Sequence, residues 1–390
     1  MIAITAKRLL TPIQSIDQPL LLIDDGRLCE VTSAKSRALP QNCQMVDFKD
    51  AVLVPGFVDI HIHGAAGRDV MESDPQAISL IGQFLRMQGV TSFLPTTVTA
   101  PLDSTLTALE HLADAVEGAE RHHDFGARPL GIHLEGPFLS HRRRGVHPPQ
   151  HLQVPSVALF EKLWQAARGH IRVLTIAPEL EGAADVIAEA TARGVCVSLG
   201  HSDADFAAAC AGIAAGARHA THTFNAMRPF SHRDPGIVGV VLTDPRLSAD
   251  IIADGIHVDP AGVRLFLQSK GVERSVLITD ATAATGMPPG HYRMGNFEFE
   301  VQDGKCMANG VLAGSILTLD KAVRNVMHFA NWDLQSAVRA ATWNPAQAAG
   351  LPNCGSLQPG ASADIVVLSP SGEVQRTISG GRLREAAVSD

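Results

Sequence analysis

Five short polar motifs fall where apolar runs stop, and their side chains are those that hold a catalytic metal. They are His61-Ile62-His63, Glu135 within His133-Leu134-Glu135-Gly136-Pro137, His201 within Gly200-His201-Ser202-Asp203, His222 within Thr221-His222-Thr223-Phe224-Asn225, and Asp280 within Thr279-Asp280-Ala281. Imidazoles and carboxylates bind a borderline divalent cation while leaving it room to activate water. A lone histidine of this kind is usually a hydrogen-bonded, partly buried residue. Six ligand-type residues at five comparable positions point instead to a metal-dependent hydrolase.

The elements that must bring these motifs together are legible as alternating runs. Eight short β-branched stretches read as strands: Gly56–His61, Val90–Thr97, Leu130–Leu134, Arg172–Ala177, Val195–Leu199, His219–Thr223, Ala249–Ala253 and Val276–Thr279. Their near-continuous apolar character suits a parallel sheet buried on both faces. Helical patterns lie between them, at Asp74–Gln88, Leu102–Val116, Ser156–Ala167, Gly182–Ala192, Ala204–Ala215 and Pro260–Gln268, and two more follow at Leu317–Ala330 and Leu334–Ala349. Asp, Ser or Pro stands near several of the starts.

This alternation predicts an α/β fold, a (β/α)8 TIM barrel over residues 55–355. In such a barrel, catalytic groups gather at the C-terminal strand ends. His61 and His63, two apart, project to the same side. Residues 1–54 and 356–390 read differently, as short strands such as Leu20–Ile23, Ala51–Val54 and Ala363–Leu368. They predict a small β-sandwich domain built from both termini. A second β-like segment, His291–Leu312, turns at Asp303-Gly304 just after the eighth strand.

Composition narrows the function classes. A net charge of −8 gives no general attraction to nucleic acid or anionic membrane, and 5% aromatic residues provide few base-stacking platforms. No apolar run approaches the roughly 20 residues of a membrane span. Six scattered cysteines without a CxxC pair, and an N-terminus without a signal-peptide pattern, lead us to expect a cytoplasmic protein.

The motifs resemble the amidohydrolase superfamily and, within it, the N-acetylglucosamine-6-phosphate deacetylases. The similar stretches are Val54–Gly64, His133–Phe138, Gly200–Asp203, His222–Met227, Ile252–His257 and Thr279–Thr282, and the similarity extends over nearly the whole chain. The resemblance implies that Glu135, His201 and His222 hold one divalent ion. It also implies that Glu135 stands where many superfamily members have a carbamylated lysine. Because His61 and His63 are retained, a second ion bridged by Glu135 and approached by Asp280 is expected. Zinc, iron and manganese all suit such ligands.

Chemistry and resemblance together assign further roles. Asp280 is the expected general base for water and general acid for the leaving amine. His147, after Val146, matches the position that contacts the substrate acetyl region, and is expected to donate to the carbonyl oxygen. Arg233 and His257 match the substrate-binding arginine and histidine, and Asn225 and Ala226 match a backbone-contact pair. Leu312-Ala313-Gly314 resembles the segment that closes over the sugar, with Ala313 where the family often has serine. A phosphate contact from a neighbouring subunit implies a homodimer.

Arg142-Arg143-Arg144 reads as a solvated loop face, Trp332 and Trp343 as packing, and His122-His123 as solvent-facing. Asp203 reads either as a partner that orients His201 or as a helix cap. The competing functions are the galactosamine-epimer deacetylase, a cyclic-amide hydrolase of the same superfamily, and a non-catalytic assembly protein that has lost its metals.

Overall fold

In the computed structural model, which describes residues 1–37, 43–121 and 126–383, each of the eight apolar runs contains a parallel strand. They are β1 (Phe57–Ile62), β2 (Val90–Thr97), β3 (Ile132–Glu135), β4 (Ile171–Ile176), β5 (Cys196–Leu199), β6 (His219–Ala220), β7 (Ala249–Ile252) and β8 (Ser275–Ile278). Every residue of β1, β2 and β3 is buried, as strands covered on both faces must be. His122-His123 lies outside the described residues.

The strands form a curled parallel sheet in chain order, with β1 beside β2 and the succession running through β3, β4, β5 and β6. The register sets Thr96 opposite His133, Glu135 opposite Thr175 and Leu199 opposite Ala220. β7 pairs with β8, Ile252 opposite Ile278. A few backbone bonds join the pieces: Thr223 donates to the Asp250 carbonyl at 2.9 Å, Asp280 to the His61 carbonyl at 2.9 Å and His63 to the Ala281 carbonyl at 2.8 Å. The motif-bearing ends of β1, β3, β5, β6 and β8 therefore meet on one side of the sheet.

Helices pack outside the strands and start where short polar side chains cap them. Ser156 accepts from Leu159, Asp205 from Ala208, Asp259 from Ala261 and Asp333 from Ser336, each satisfying an otherwise orphaned N–H. Two departures from the sequence reading have clear causes. Gly236–Thr243 is a helix that the pattern missed, because Gly-Ile-Val-Gly-Val-Val-Leu is apolar all round and shows no stripe. The expected helix Leu334–Ala349 breaks into Leu334–Ala341 and Trp343–Ala348 at Thr342, three residues before Pro345, which has no N–H to continue the ladder. Trp332 packs against the main core.

The two ends of the chain build two further sheets. Strands 2–5, 19–24, 27–33 and 44–47 form one, and strands 8–10, 15–17, 52–55, 365–368 and 374–378 form the other. Ile4, Leu21, Ile23, Leu53, Ile365 and Val367 close a separate apolar core, while Val54, Val366 and Leu368 of the same strands face the main one. Period-two alternation thus lets one sheet seal both cores. At Gly56, between strand 52–55 and β1, a Cβ would sit 2.1 Å from the Thr91 hydroxyl, so only glycine fits. The segment after β8 forms a four-stranded antiparallel insert, 290–294, 297–302, 305–308 and 311–312, over its own small core.

Asp364 joins the terminal sheets to the β-strand layer. Its carbonyl accepts from Gly56 at 2.9 Å, and its carboxylate from Arg128 and Gly380 at 2.7 Å each. Asp364→Ala is expected to lower the unfolding free energy by about 1–3 kcal/mol, read by urea denaturation, because a partly buried charged hydrogen-bond set is lost.

Candidate metal centre

The six ligand-type side chains converge on the floor of one cavity. Glu135, at the end of β3, is buried and directs its two oxygens at two different histidine pairs. Oε1 lies 3.0 Å from His222 Nε2 and 3.2 Å from His201 Nε2. Oε2 lies 3.4 Å from His63 Nε2 and 3.5 Å from His61 Nε2. Asp280 Oδ1 closes the second group, 3.1 Å from His63 and 3.4 Å from His61.

Backbone conformation makes this convergence work. His201, His222 and Asp280 follow the ends of β5, β6 and β8 with φ of +47°, +31° and +51°. Left-handed backbone costs a non-glycine residue energy and recurs at functional sites. Each residue turns the chain sharply at a strand end, so its side chain bends over the sheet mouth. The amide of His222 is held there by the buried Asp250 carboxylate.

The donor set fits a divalent cation. The Nε2 atoms of His201 and His222 are 3.0 Å apart, and those of His61 and His63 3.3 Å apart, with a carboxylate oxygen beside each pair. Lone pairs crowded this closely are satisfied by a shared cation. Remote contacts set the tautomers: His63 Nδ1 donates to the Thr96 carbonyl and His201 Nδ1 to the Arg143 carbonyl, both at 2.9 Å, so in the neutral rings Nε2 is the ligating atom. Among the described residues, His61, His63 and Asp280 form one group able to hold an ion, and Glu135, His147 and His201 form another, with His222 Nε2 3.0 Å from both Glu135 Oε1 and His201 Nε2.

His147 also comes within ligand range of Glu135 and His201. Its tautomer argues against ligation. Nδ1 accepts from the Thr99 amide at 3.2 Å, so the ring proton sits on Nε2, which faces Glu135 Oε2 at 3.5 Å. A neutral His147 presents an N–H to the cavity. That is a donor, not a ligand.

Electrostatics follow the geometry. Burial alone would raise both carboxylates, yet His61 and His201 hold Glu135 well below the usual range, and His63 and His61 hold Asp280 at about 2. Burial would lower the histidines, but Asp280 and Glu135 hold His63 well above its ordinary value, and Glu135 carries His222 up to about 9. His201 falls to about 4, by burial and despite the same glutamate, with His147 and His222 adding repulsion. Two imidazoles 3.0 Å apart share one carboxylate, so one proton fills the pair.

The cavity above this floor measures about 510 Å³, ample for a sugar phosphate. Val146, His147, Asn225 and Ala226 line it, as do His257, Leu312 and Gly314. His257 Nδ1 pairs with Asp254 Oδ2 at 2.7 Å, so the ring is fixed through that edge. Two expected contacts lie elsewhere. Ala313, just past the strand that ends at Leu312, is fully buried in the insert core, and Arg233 is exposed on the Ser231–Asp234 turn outside the cavity.

The cavity also corrects the reading of Arg142-Arg143-Arg144 as a merely solvated face. These residues line its rim from a single 3-10 turn, His141–Arg143 and the residue after it. Arg142 and Arg143 pair with Asp203 at 3.2 and 2.7 Å. Asp203 therefore neither caps a helix, a task taken by Asp205, nor touches His201. It holds Arg143, whose carbonyl orients His201. Thr99, which sets the His147 tautomer, carried no signal in the sequence beyond its place after β2.

The chain belongs to the amidohydrolase family, which it matches over residues 52–384. Among its relatives are deacetylases of phosphorylated N-acetyl sugars. An N-acetylglucosamine-6-phosphate deacetylase of Lysinibacillus sphaericus is 36% identical over 92% of both chains. An N-acetylgalactosamine-6-phosphate deacetylase of Escherichia coli O157:H7 is 36% identical over 97% of this chain and 98% of that one. A solved mutant N-acetyl-D-glucosamine-6-phosphate deacetylase of Mycobacterium smegmatis, in complex with N-acetyl-D-glucosamine-6-phosphate, superposes with a TM-score of 0.91 at 35% identity and covers 98% of each chain.

Two outcomes check the metal reading. A cation must displace the proton held by His222 up to about pH 9, so apparent zinc affinity is expected to rise from pH 6 to 9, by up to about tenfold per unit for each proton released. Competition titration against a chromogenic chelator measures it. His61→Ala with His63→Ala is expected to remove one bound ion and leave that of Glu135, His201 and His222 in place, read by metal analysis.

Proposed function

We propose that this chain hydrolyses the N-acetyl group of N-acetyl-D-glucosamine 6-phosphate, releasing acetate and D-glucosamine 6-phosphate. The observation that carries the reading is Glu135, set between two histidine pairs at the floor of a sugar-sized cavity, with Asp280 and the His147 N–H beside it. Glu135, His201 and His222 would hold one divalent cation, and His61, His63 and Asp280, with Glu135 between, a second. Zinc, iron or manganese held there activates water and polarises an amide carbonyl.

The remaining work falls to the chain's own groups. Asp280, ionised at any working pH, takes the proton of the attacking water and passes it to the departing nitrogen. His147 donates its Nε2 proton to the carbonyl oxygen as negative charge develops there. Asn225, Ala226 and Val146 meet the sugar phosphate from one side and Leu312 and Gly314 from the other, with His257 toward the phosphate. Arg233, exposed outside this chain's own cavity, would meet the phosphate in the site of a second copy, with a homodimer as the working form. The reading takes the curled sheet as a closed (β/α)8 barrel over 55–355, with 1–54 and 356–390 as one β-sandwich domain, in a cytoplasmic protein. No helix among the described residues is long and apolar enough to cross a membrane.

A second reading has its own support. The galactosamine-type relative covers more of this chain than the glucosamine-type one above, at the same identity. Comparing kcat/KM for the two epimeric phosphates decides between them, the larger value naming the substrate.

Asp280→Asn is expected to lower kcat by about 10²–10⁴-fold when metal is supplied, the range of a lost general base. Unchanged turnover by acetate release would remove Asp280 from proton transfer. Arg233→Ala is expected to raise KM for the phosphorylated sugar by about 10–100-fold, the worth of one charged hydrogen bond, and to leave the unphosphorylated sugar unaffected.

A further inference from the structure

Asp69 is a buried carboxylate that the chemistry above does not use. It lies on the short strand 68–69, opposite Gly64, on the arm that follows His63, and the Val70 amide returns to the His63 carbonyl at 2.9 Å. The nearest basic neighbour in sequence, Arg68, pairs instead with Asp74 and Glu72. Asp69 spends its oxygens on two backbone amides: Oδ1 accepts from Met71 at 2.6 Å, and Oδ2 crosses to the insert and accepts from Gly295 at 2.8 Å.

Gly295 occupies the turn between insert strands 290–294 and 297–302. The turn is tight, with φ of +52°, and a Cβ there would lie 2.7 Å from Val98. Met294, just before it, forms part of the wall of the substrate cavity, and its methyl group lies 3.2 Å from where a Gly314 Cβ would be. The insert strands continue in order to Leu312, on the same wall. Alongside Asp69, the arm and the insert are separated by a second cavity of about 450 Å³, lined by Met71, Glu72, Tyr292 and Arg293. The Asp69–Gly295 bond spans the edge of that space. Ionised carboxylates are costly to bury unless their hydrogen bonds are needed.

We propose that Asp69 is a positioning residue for substrate specificity: it ties the insert turn to the His63 arm and so sets the distance between the sugar-facing wall and the metal floor. This rests on the reading that the first cavity holds the N-acetylated sugar phosphate.

Asp69→Asn keeps one acceptor, Asp69→Ala keeps none, and Gly295→Ala wedges the same turn against Val98 without touching Asp69. The metal-loaded variants are assayed on N-acetyl-D-glucosamine 6-phosphate, with metal content and backbone hydrogen exchange measured alongside. KM is expected to rise by about tenfold or more, with kcat changed by less than about threefold, in the order Asn below Ala, and with Gly295→Ala like Asp69→Ala. Exchange should quicken in 290–302 and stay unchanged in β1, β3 and β5. Unchanged KM and exchange in the folded variants would overturn the proposal, as would a joint loss of kcat and metal, which would place Asp69 behind His63 alone. Should Asp69→Ala not fold, Gly295→Ala decides. If the wild type fails to turn over this sugar, the functional reading falls, while the exchange comparison, which needs no substrate, still judges the tie.

Discussion

The whole centre depends on a single buried carboxylate that faces both ways. Glu135 sits almost without solvent at the end of β3, where an ionised group is stable only if opposite charge lies against it. Its two oxygens are each committed to a separate pair of imidazoles. No other ligand touches both pairs so evenly. The glutamate thus dictates that β1, β5 and β6 end at the same height as β3, and the sheet register delivers that.

Holding four imidazoles and a second carboxylate around Glu135 requires backbone that would not otherwise take these paths, and buried polar groups below the mouth stabilise it. Asp59 Oδ2 accepts from the Thr279 hydroxyl at 2.6 Å, and Oδ1 from the His61 amide at 3.3 Å, lacing β1 to β8 beneath two ligands. Burial pushes this carboxyl up to about 6 despite those bonds, a cost that the strand ends on either side impose. Asp250 performs the matching task between β6 and β7, accepting from the His222 amide while pairing with His219 at 3.0 Å. His133 Nε2 meets the Thr175 hydroxyl at 2.8 Å, and Thr175 meets Thr221 at 2.8 Å, so the layer under the ligand-type side chains is a connected polar network, not an oily core. Such layers specify one arrangement because any slipped register leaves several partners unmet.

The ligands were legible because each one ends an apolar run, and a strand end is a local feature that sequence displays. The same locality made the eight strands and the capped helices readable. What escaped was set by contacts between distant segments. Gly236–Thr243 is uniformly apolar, so no stripe marks it as a helix. Arg142–Arg144 resembles any basic loop until β5 brings Asp203 beside it. Ala313 turns into the insert core just past the end of a two-residue strand, where no periodicity marks which side a residue faces. Arg233 matches a substrate-binding pattern in sequence, yet it lies away from its own chain's cavity.

Two kinds of element therefore share the site, and they do so for different physical reasons. Groups able to hold an ion tolerate little displacement, and they stand on, or just past the ends of, the buried parallel strands. Groups that line the cavity above them lie on the 3-10 turn at 141–144, the loop at 225–226 and the insert, and particular bonds tie these to the strand ends. One such bond, from Ser140 to the His201 carbonyl at 2.9 Å, couples the two sets, and Asp203 through Arg143 couples them again. Rotation of the arginine turn would withdraw the carbonyl that fixes the His201 tautomer. The rim of the cavity is thereby tied to a ligand-type residue of its floor, and a displacement of the turn acts directly on the imidazole beneath it.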